Sequence, residues 1–521
     1  MTTWAAPRCF GDVWAASVAA GPTAPFLRFE APSGAVSEWT YAEFDAVVGR
    51  MAAALVAHGV TPGSAVHLAL TNSPAFVAVW IATVRLGAWI VPSDPMGRTP
   101  ELATHIERTR PVVGLHAIAR AGDYLPAANG MATIAFDEAD THLTHLGDTI
   151  FGDWPQLGLH DRSAVMFTSG TTGRPKGVEI TQANYAFAGK VMAEAAGLEA
   201  HHRQLVVLPM FHANAQYYSF ASAIWAGASV ALMHTFSATR FVAQAADHAA
   251  THASLFAAPI RMILARGSTP VDGLRLQHCW YAINISDAQY KELATLLGCR
   301  PRQLYGMTET IPAVLTECRA DPVPSSMGVE TPGCVVDLHD ANGRRVGDGE
   351  LGEIVVGGER GITLFAGYLD DPETTQASFT DGWFHTGDRA RREPDGRYYF
   401  DGRRADLLKV AGENVSTVEV EQVLAAHPAI LEAAVIGMPD PVRDEVPVAF
   451  VVATDPANPP TMTELVEWCE HRLTKSKRPR DISFVAELPR TSVGKIRKFL
   501  LKDPTAEANL VAADNSRKDG S

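Results

Sequence analysis

Apolar and polar positions follow two different periods along the first half of the chain. Short apolar runs, as at 65–70, predict buried strands, whereas apolar residues spaced by three and four over 41–58 and 74–86 predict helices. A strand over 204–209 and a helix over 239–252 continue this rhythm. Strands that alternate with helices imply crossover connections, so we expect layered parallel sheets.

The pattern changes in the last third of the chain. Glycines are dense and apolar runs are short from 328 to 402, which predicts a smaller twisted sheet or β-barrel. A compact segment with both periods follows this region. Its predicted strands are 433–437 and 448–452, and its predicted helices are 418–426 and 462–473.

These elements predict an α/β fold in two domains. A large N-terminal domain over 1–403 is expected to hold the layered parallel sheets and the small β-barrel, and a small mobile α+β domain is expected over 404–505. The segment 506–521 is polar and rich in small residues, so it is predicted to be a flexible tail.

The composition is that of an ordinary globular protein. Of 521 residues, 47% are hydrophobic and 20% are charged, which excludes the disordered and membrane-spanning classes. A net charge of −14 argues against nucleic acid as a partner. The basic run 475–480 is the exception, and it is either a solvated helix end or a site for the phosphates of an incoming cofactor.

The cysteines and the chain start indicate a cytoplasmic protein. Six cysteines show neither CxxC nor metal-ligand spacing, so reduced, buried thiols are expected. We expect no signal peptide, because no basic segment followed by an apolar core opens the chain. No apolar run approaches the roughly 20 residues that span a bilayer.

A hydroxyl-rich, basic loop follows the apolar run 164–167. Hydroxyl and backbone N–H groups of such a loop donate to phosphate oxygens, and its glycines let the chain come close. It is not a Walker loop, because proline precedes its lysine and Gly-Val follows it. The candidate phosphate-binding residues are Thr168, Ser169, Gly170, Thr171, Thr172 and Lys176.

The order of residues in this loop resembles the signature of the adenylate-forming superfamily, which holds acyl-CoA synthetases, luciferases and nonribosomal adenylation domains. Further motifs of that superfamily recur in order at 305–310, 381–388, 399–403, 409–414 and 489–496. The segments 281–286, 307–311 and 412–416 are most similar to the crotonobetaine/carnitine-CoA ligase branch.

The resemblance implies roles for individual residues in adenylation. Lys495 would bridge the acid's carboxylate and the α-phosphate, Thr308 would donate to that phosphate, and Glu309 would ligate Mg²⁺. Asp388 would accept the ribose hydroxyls, with Arg403 adding charge nearby. The remaining expected contacts to ATP or CoA are Tyr305 and Gly306, Ala282, Ile283 and Asn284, and Gly412, which would line a pantetheine tunnel.

The segment 209–218 resembles the superfamily's aromatic motif, which lines the acyl site, but it is unusually polar. Asn214 and Gln216 alternate, so we expect them to share a face with the candidate catalytic residue His212. Amides in a cavity favour a small polar acid; alternatively, they only tie down loops. The other predicted pocket residues are Tyr217, Tyr281, Met307 and Thr310.

These expectations make the protein an ATP-dependent, AMP-forming acid:CoA ligase that uses Mg²⁺ and alternates its domains about a hinge at 403–406. A carrier-protein thiol could replace CoA as acceptor, or the enzyme could activate nitrite and diazotise an aryl amine. Retention of Lys495, Glu309 and Thr308 disfavours a noncatalytic nucleotide sensor. The acid and the oligomeric state, a homodimer included, stay open.

Overall fold

The computed structural model describes residues 6–138, 140–168, 175–266, 269–282, 285, 287–403, 407–410, 413–440, 443–490 and 496–502. The chain divides into two compact units. The first comprises Met1–Val336 and Val356–Phe384, and the second comprises Asp337–Val355 and His385–Ser521. The predicted domain division at residue 403 stays a prediction, and the hinge residues 404–406 lie outside the described residues.

The first unit contains a nine-stranded sheet within its described residues. Six central strands are parallel, and antiparallel strands extend the sheet at both edges. The strand order is Val329–Glu330, Leu315–Thr316, Arg302–Tyr305, His278–Ala282, His252–Phe256, Arg203–Val206, Ser229–Met233, Pro25–Glu30 and Val36–Thr40.

A second sheet of the first unit has seven strands in the described part of the chain. Five are parallel, and the two at one edge are antiparallel. The order is Gly367–Tyr368, Lys176–Thr181, Arg162–Thr168, Trp89–Pro92, Ala65–Ala69, Val113–Ala117 and Ala132–Phe136. The expected layered, largely parallel α/β architecture is therefore confirmed.

Local sequence signals start several helices of this unit. Thr40 and Glu43 form a capping box, and Ser73 accepts from the N–H of Phe76 with Pro74 in the first turn. The α-helices are Phe10–Ala20, Tyr41–Ala57, Pro74–Arg85, Thr99–Thr109, Ala121–Ala128, Gln182–Ala196, Ser222–Ala226, Phe241–Asp247, Ala257–Ala265, Asp287–Leu297 and Pro372–Ala377. A π-helix covers Asn214–Ala221, and 3₁₀ turns cover Ile118–Arg120, Thr144–Leu146 and Thr308–Thr310.

Two predicted elements of the first unit differ from the structure. The helix expected over 239–252 is only Phe241–Asp247, because Ala249 has φ +49° and His252 already begins a strand. The alternating segment around Asn214 and Gln216 is helical. Since residues two apart on a helix point in nearly opposite directions, these two side chains do not share a face.

The second unit contains most of a small sheet in the region where the sequence predicted one. Its order is Val335–His339, Leu351–Gly357, Trp383–Arg392 and Phe379–Thr380, with Tyr398–Arg403 beside Trp383–Arg392. A further sheet has the order Glu413–Ser416, Leu407–Val410, Asp444–Ala453 and Ile430–Asp440, with Asp481–Phe484 beside Asp444–Ala453. Helices Thr417–Ala425 and Met462–Glu470 and the 3₁₀ turn Lys498–Lys502 complete its described elements.

Three basic residues of the run 475–480 form ion pairs with acidic residues. Lys477 pairs with Glu419, Arg478 with Glu470, and Arg480 with Asp440. These contacts favour the structural interpretation of the run.

The cysteines are free thiols, but they are not all buried as expected, because Cys318 is exposed. Across the described ranges, every helix is too short or too polar to cross a bilayer.

Candidate active site

The predicted phosphate-binding loop, residues 168–176, begins and ends on an antiparallel pair of strands. Thr168 ends the strand Arg162–Thr168 and lies opposite Lys176, the first residue of the strand Lys176–Thr181. The chain therefore leaves and re-enters this sheet at neighbouring positions. The predicted phosphate ligands Ser169, Gly170, Thr171 and Thr172 lie outside the described residues.

Helix Thr99–Thr109 holds both ends of this loop. The Arg108 guanidinium donates to the carbonyl oxygen of Pro175 at 2.5 Å and lies 5.0 Å from the centre of the Phe167 ring. The His105 ring stacks on the same phenylalanine, with 4.0 Å between centres and 3° between planes. Sequence reasoning missed both these residues and this helix, and the i, i+3 spacing of the histidine and the arginine was the available signal.

A buried series of side-chain hydrogen bonds ends at His105 on that helix. His67 bonds the Tyr124 hydroxyl at 2.6 Å and the Ser93 hydroxyl at 2.9 Å, and Ser93 also contacts His105 Nδ1 at 2.7 Å. Burial lowers the pKa of His67 to about 3 and the pKa of His105 to about 4. Both imidazoles are therefore neutral at pH 7.

The turn after Tyr305 is tightly packed, and one of its residues has an unusual backbone angle. A Cβ on Gly306 would lie 2.9 Å from both the Pro312 carbonyl oxygen and the Ala313 Cα, so only glycine fits. Thr310 is fully buried, and its hydroxyl accepts from the N–H of Met307 at 3.0 Å. Ile311 has φ +71°, a strained value for a β-branched residue. Such strain is a mark of functional turns.

Glu309 is buried in this turn and is linked to the phosphate-binding loop through Tyr368. The Tyr368 hydroxyl donates to Glu309 Oε1 at 3.1 Å, and the Lys176 ammonium lies 4.6 Å from the centre of the Tyr368 ring. Glu309 is only 4% exposed. The sequence singled out Lys176 and Glu309 separately but did not identify the tyrosine between them.

The helical segment Asn214–Ala221 contacts both the strand that precedes the predicted phosphate-binding loop and the turn after Tyr305. The Tyr217 hydroxyl lies 3.9 Å from the sulfur of Met166, just before the phosphate-binding loop. The Tyr218 hydroxyl lies close to Gly306, 3.2 Å from the point that a Cβ atom would occupy if this residue had one. His212 is half-buried before the helix, and its N–H donates to the Pro209 carbonyl oxygen at 3.2 Å.

The two amides of this segment have different environments. Gln216 is fully buried, accepts from the Tyr185 hydroxyl and donates to the Met210 carbonyl oxygen at 2.6 Å. Asn214 is 4% exposed, and neither atom of its amide has a hydrogen-bond partner among the residues that the structure describes. Gln216 therefore fixes the segment, whereas Asn214 keeps its hydrogen-bonding capacity.

The expected adenine-side segment begins at the end of strand His278–Ala282. The Tyr281 ring is buried, and its hydroxyl donates to the Pro324 carbonyl oxygen at 2.7 Å. Ala282 is the last residue of the strand. Ile283 and Asn284 lie outside the described residues.

The second unit brings Asp388 and Arg403 together. They are paired across adjacent strands, and Arg403 Nε donates to Asp388 Oδ1 at 2.9 Å. The N–H of Asp388 donates to the Thr386 hydroxyl at 3.1 Å, and Asp388 is 4% exposed. A fixed carboxylate beside a guanidinium is able to accept hydrogen bonds from a vicinal diol.

The predicted adenylation lysine belongs to a segment whose two ends are fixed. Arg490 and Ile496 form a β-bridge, Arg490 pairs with Glu432, and Lys498 Nζ lies 2.8 Å from Glu421 Oε1. Lys495 and Gly412 themselves lie outside the described residues. Their roles stay predictions from the sequence.

Two protein-family models match most of the chain. The model of AMP-binding enzymes matches residues 14–369, and the model of the AMP-binding enzyme C-terminal domain matches residues 419–495. The crotonobetaine/carnitine–CoA ligase of Salmonella agona (strain SL483) is 31% identical over 499 residues, covering 91% of this chain and 95% of that protein. The ligase of the same name from Citrobacter koseri is 32% identical over 509 residues.

Solved structures share the fold over nearly the full length. ATP-bound MatB from Rhodopseudomonas palustris superposes with a TM-score of 0.86 at 25% identity, covering 96% of this chain and 99% of that one. The o-succinylbenzoate CoA synthetase (MenE) from Bacillus subtilis, in complex with its acyl-adenylate intermediate, gives 0.83 at 26% identity with the same coverage. The chain therefore belongs to the family of AMP-binding enzymes, in the adenylate-forming acyl-CoA ligase superfamily, and is an enzyme of the AMP-forming acyl-CoA synthetase type.

Proposed function

We propose that the protein activates a small polar carboxylic acid with ATP as an acyl-adenylate and then transfers the acyl group to CoA. The observation that carries the acid class is the buried amide of Asn214, which lacks partners among the described residues. Leaving such an amide unpaired is costly, and a bound molecule that both donates and accepts hydrogen bonds removes the cost. A hydrocarbon tail cannot do this.

The place of Asn214 in the first unit supports the proposal. Its helical segment contacts both the strand that leads into the phosphate-binding loop and the turn that carries Glu309. We also assign four residues that adjoin this segment or belong to it or to that turn to the surroundings of the acid: His212, Tyr217, Met307 and Thr310. The names of the curated relatives agree in class, since crotonobetaine and carnitine are small polar acids.

Adenylation joins two anions, so the residues around ATP must supply positive charge and hydrogen-bond donors. The acid's carboxylate oxygen attacks the α-phosphorus, and the bond to the β-phosphate breaks to release pyrophosphate. We assign the phosphate contacts to Thr168, Lys176 and Thr308, and the bridging charge to Lys495. Asp388 and Arg403 are assigned to the ribose.

The donor set around Glu309 fits Mg²⁺. A buried carboxylate with one oxygen held by a phenol hydroxyl offers the hard oxygen ligand that this cation prefers. When bound, the cation supplies charge neutralisation at the phosphates. The chain's own contribution is to orient the carboxylate and to keep Lys176 near it.

The first experiment measures pyrophosphate release from ATP and Mg²⁺ with a panel of acids. The panel contains crotonobetaine, short alkenoic acids, aryl acids, long-chain fatty acids and nitrite, each with and without CoA. Turnover of a small polar acid that requires CoA for product formation supports the proposal. Preference for fatty acids, or turnover of nitrite with an aryl amine in place of CoA, contradicts it.

The adenylation lysine is tested by separating the two half-reactions. Lys495→Ala should nearly abolish adenylate formation and leave thioester formation from supplied acyl-adenylate largely intact. Lys190→Ala is the matched control, since that lysine is 3.9 Å from Glu194 on a helix of the first unit. Equal loss of both half-reactions in Lys495→Ala would remove the assignment.

A further inference from the structure

A short segment of the first unit joins the turn that carries Glu309 to the strand that begins at Lys176. The N–H of Phe365 donates to the Glu309 carbonyl oxygen at 3.0 Å, and the N–H of Leu369 donates to the Gly177 carbonyl oxygen at 2.8 Å. Between these bonds, Gly367–Tyr368 pairs antiparallel with Lys176–Thr181. The backbone around Tyr368 is thus fixed to both sides.

The Tyr368 side chain also connects the turn to the strand, because its hydroxyl contacts Glu309 and its ring contacts Lys176. Its hydroxyl donates to Glu309 Oε1 at 3.1 Å, and its ring lies beneath the Lys176 ammonium at 4.6 Å. The phenol hydroxyl is the donor of this bond, and the carboxylate oxygen of Glu309 is the acceptor. The face of an aromatic ring attracts a cation, whereas an aliphatic side chain does not.

We propose that Tyr368 is a positioning residue that holds the metal-binding carboxylate of Glu309 and the phosphate-binding ammonium of Lys176 at a fixed separation. The inference rests on the proposed function, because it takes Glu309 as the Mg²⁺ ligand and Lys176 as a phosphate contact. The hydroxyl acts on the metal side and the ring acts on the phosphate side. The two effects are therefore separable by mutation.

Tyr368→Phe removes the hydroxyl and keeps the ring. The variant should bind Mg-ATP about fivefold to tenfold more weakly, as expected for one lost hydrogen bond to a buried carboxylate. Its affinity for ATP in EDTA should match the wild type. Tyr368→Leu also removes the ring and should weaken binding of metal-free ATP as well, because Lys176 loses its restraint.

Tyr290→Phe is the matched control for the loss of a buried hydroxyl. Tyr290 is 8% exposed in the same unit, and its hydroxyl donates to the Pro301 carbonyl oxygen at 3.0 Å. This variant should bind ATP like the wild type in both conditions. Thermal midpoints of all variants are measured alongside, so that a general loss of stability is recognised.

Isothermal calorimetry with ATP decides the proposal without any acid substrate. A loss confined to Mg-ATP in Tyr368→Phe supports it, and unchanged Mg-ATP affinity overturns it. Equal losses with and without Mg²⁺ also overturn it, because they indicate a general structural role. A failed acid panel together with the expected calorimetry refutes the proposed acid chemistry and leaves the role of Tyr368 intact.

Discussion

Asn214 and Gln216 lie two positions apart and differ in their hydrogen bonds. Gln216 uses both ends of its amide within the protein, while the Asn214 amide lacks a partner among the described residues. Both side chains are buried amides, so the difference in their hydrogen bonds comes from the neighbours that each one meets. A buried amide with partners stabilises the fold, and one without partners does not.

Matched substitutions at these positions should therefore have opposite effects. Gln216→Met should lower the free energy of unfolding by about 2 kcal/mol, because the Tyr185 hydroxyl and the Met210 carbonyl lose their partner. Asn214→Leu should leave stability unchanged or raise it by about 1 kcal/mol, since an unsatisfied amide is removed. Urea denaturation measures both changes.

Activity adds a second readout for the same pair. Asn214→Leu should raise the KM of the preferred polar acid by about tenfold, the cost of one hydrogen bond to the substrate. If Asn214→Leu is as destabilising as Gln216→Met, the asparagine is structural and the proposed acid class loses its support.

At the scale of elements, helix Thr99–Thr109 contacts both ends of the predicted phosphate-binding loop. It places Arg108 against Pro175 and Phe167, one residue from each end of the described strands, and His105 against the same phenylalanine. The helix itself donates no predicted ligand to ATP. Its contribution is to limit the positions that the ends of the loop can take.

Arg108→Met should raise the KM for ATP by about tenfold, because a charged hydrogen bond to the loop is lost while the aliphatic packing is kept. Arg98→Met is the control at the residue that precedes the same helix, since that side chain is 77% exposed and pairs at 3.3 Å with Asp123. Steady-state kinetics at varied ATP compares the two. An unchanged KM in Arg108→Met would show that the loop is positioned without the helix.

At the scale of the whole molecule, the first unit carries a set of buried neutral histidines. Burial lowers the pKa of His67 to about 3 and lowers the pKa values of His105 and His252 to about 4. An unfolded histidine has an ordinary pKa of about 6.5, so the unfolded chain binds these protons at higher pH than the folded chain. Their stabilising effect is complete above pH 6.5 and is lost as the pH falls toward 4.

The protein should therefore lose stability between pH 7 and pH 5, by about 2 kcal/mol for each of these histidines. His252→Gln should reduce this loss, because glutamine can still donate to the Ala196 carbonyl oxygen, the 3.1 Å partner of His252, but does not titrate. His58→Gln, at an exposed position, serves as the control. An equal loss in wild type and His252→Gln would contradict the assignment.

Long periodic segments and short motifs were predictable from the sequence. The strand Ala65–Ala69 and the helices Tyr41–Ala57 and Pro74–Arg85 were expected within one residue at each end. Their signals are local: a period, a cap and a breaker. The segment around Asn214 was not predictable in the same way, because alternating polarity arose within a helix.

Sequence by itself determined the membership in the AMP-binding family, because glycine, hydroxyl and lysine spacings in ordered motifs carry the chemistry of nucleotide binding without reference to distance. Only the tertiary structure decided which of two similar amides is satisfied, and that Tyr368 connects Glu309 to Lys176. Tyr368 lies 59 positions after Glu309 and 192 positions after Lys176 in the sequence. The physical reason is that hydrogen bonds and cation–π contacts depend on through-space geometry, which the packing of sheets and turns sets and local sequence does not.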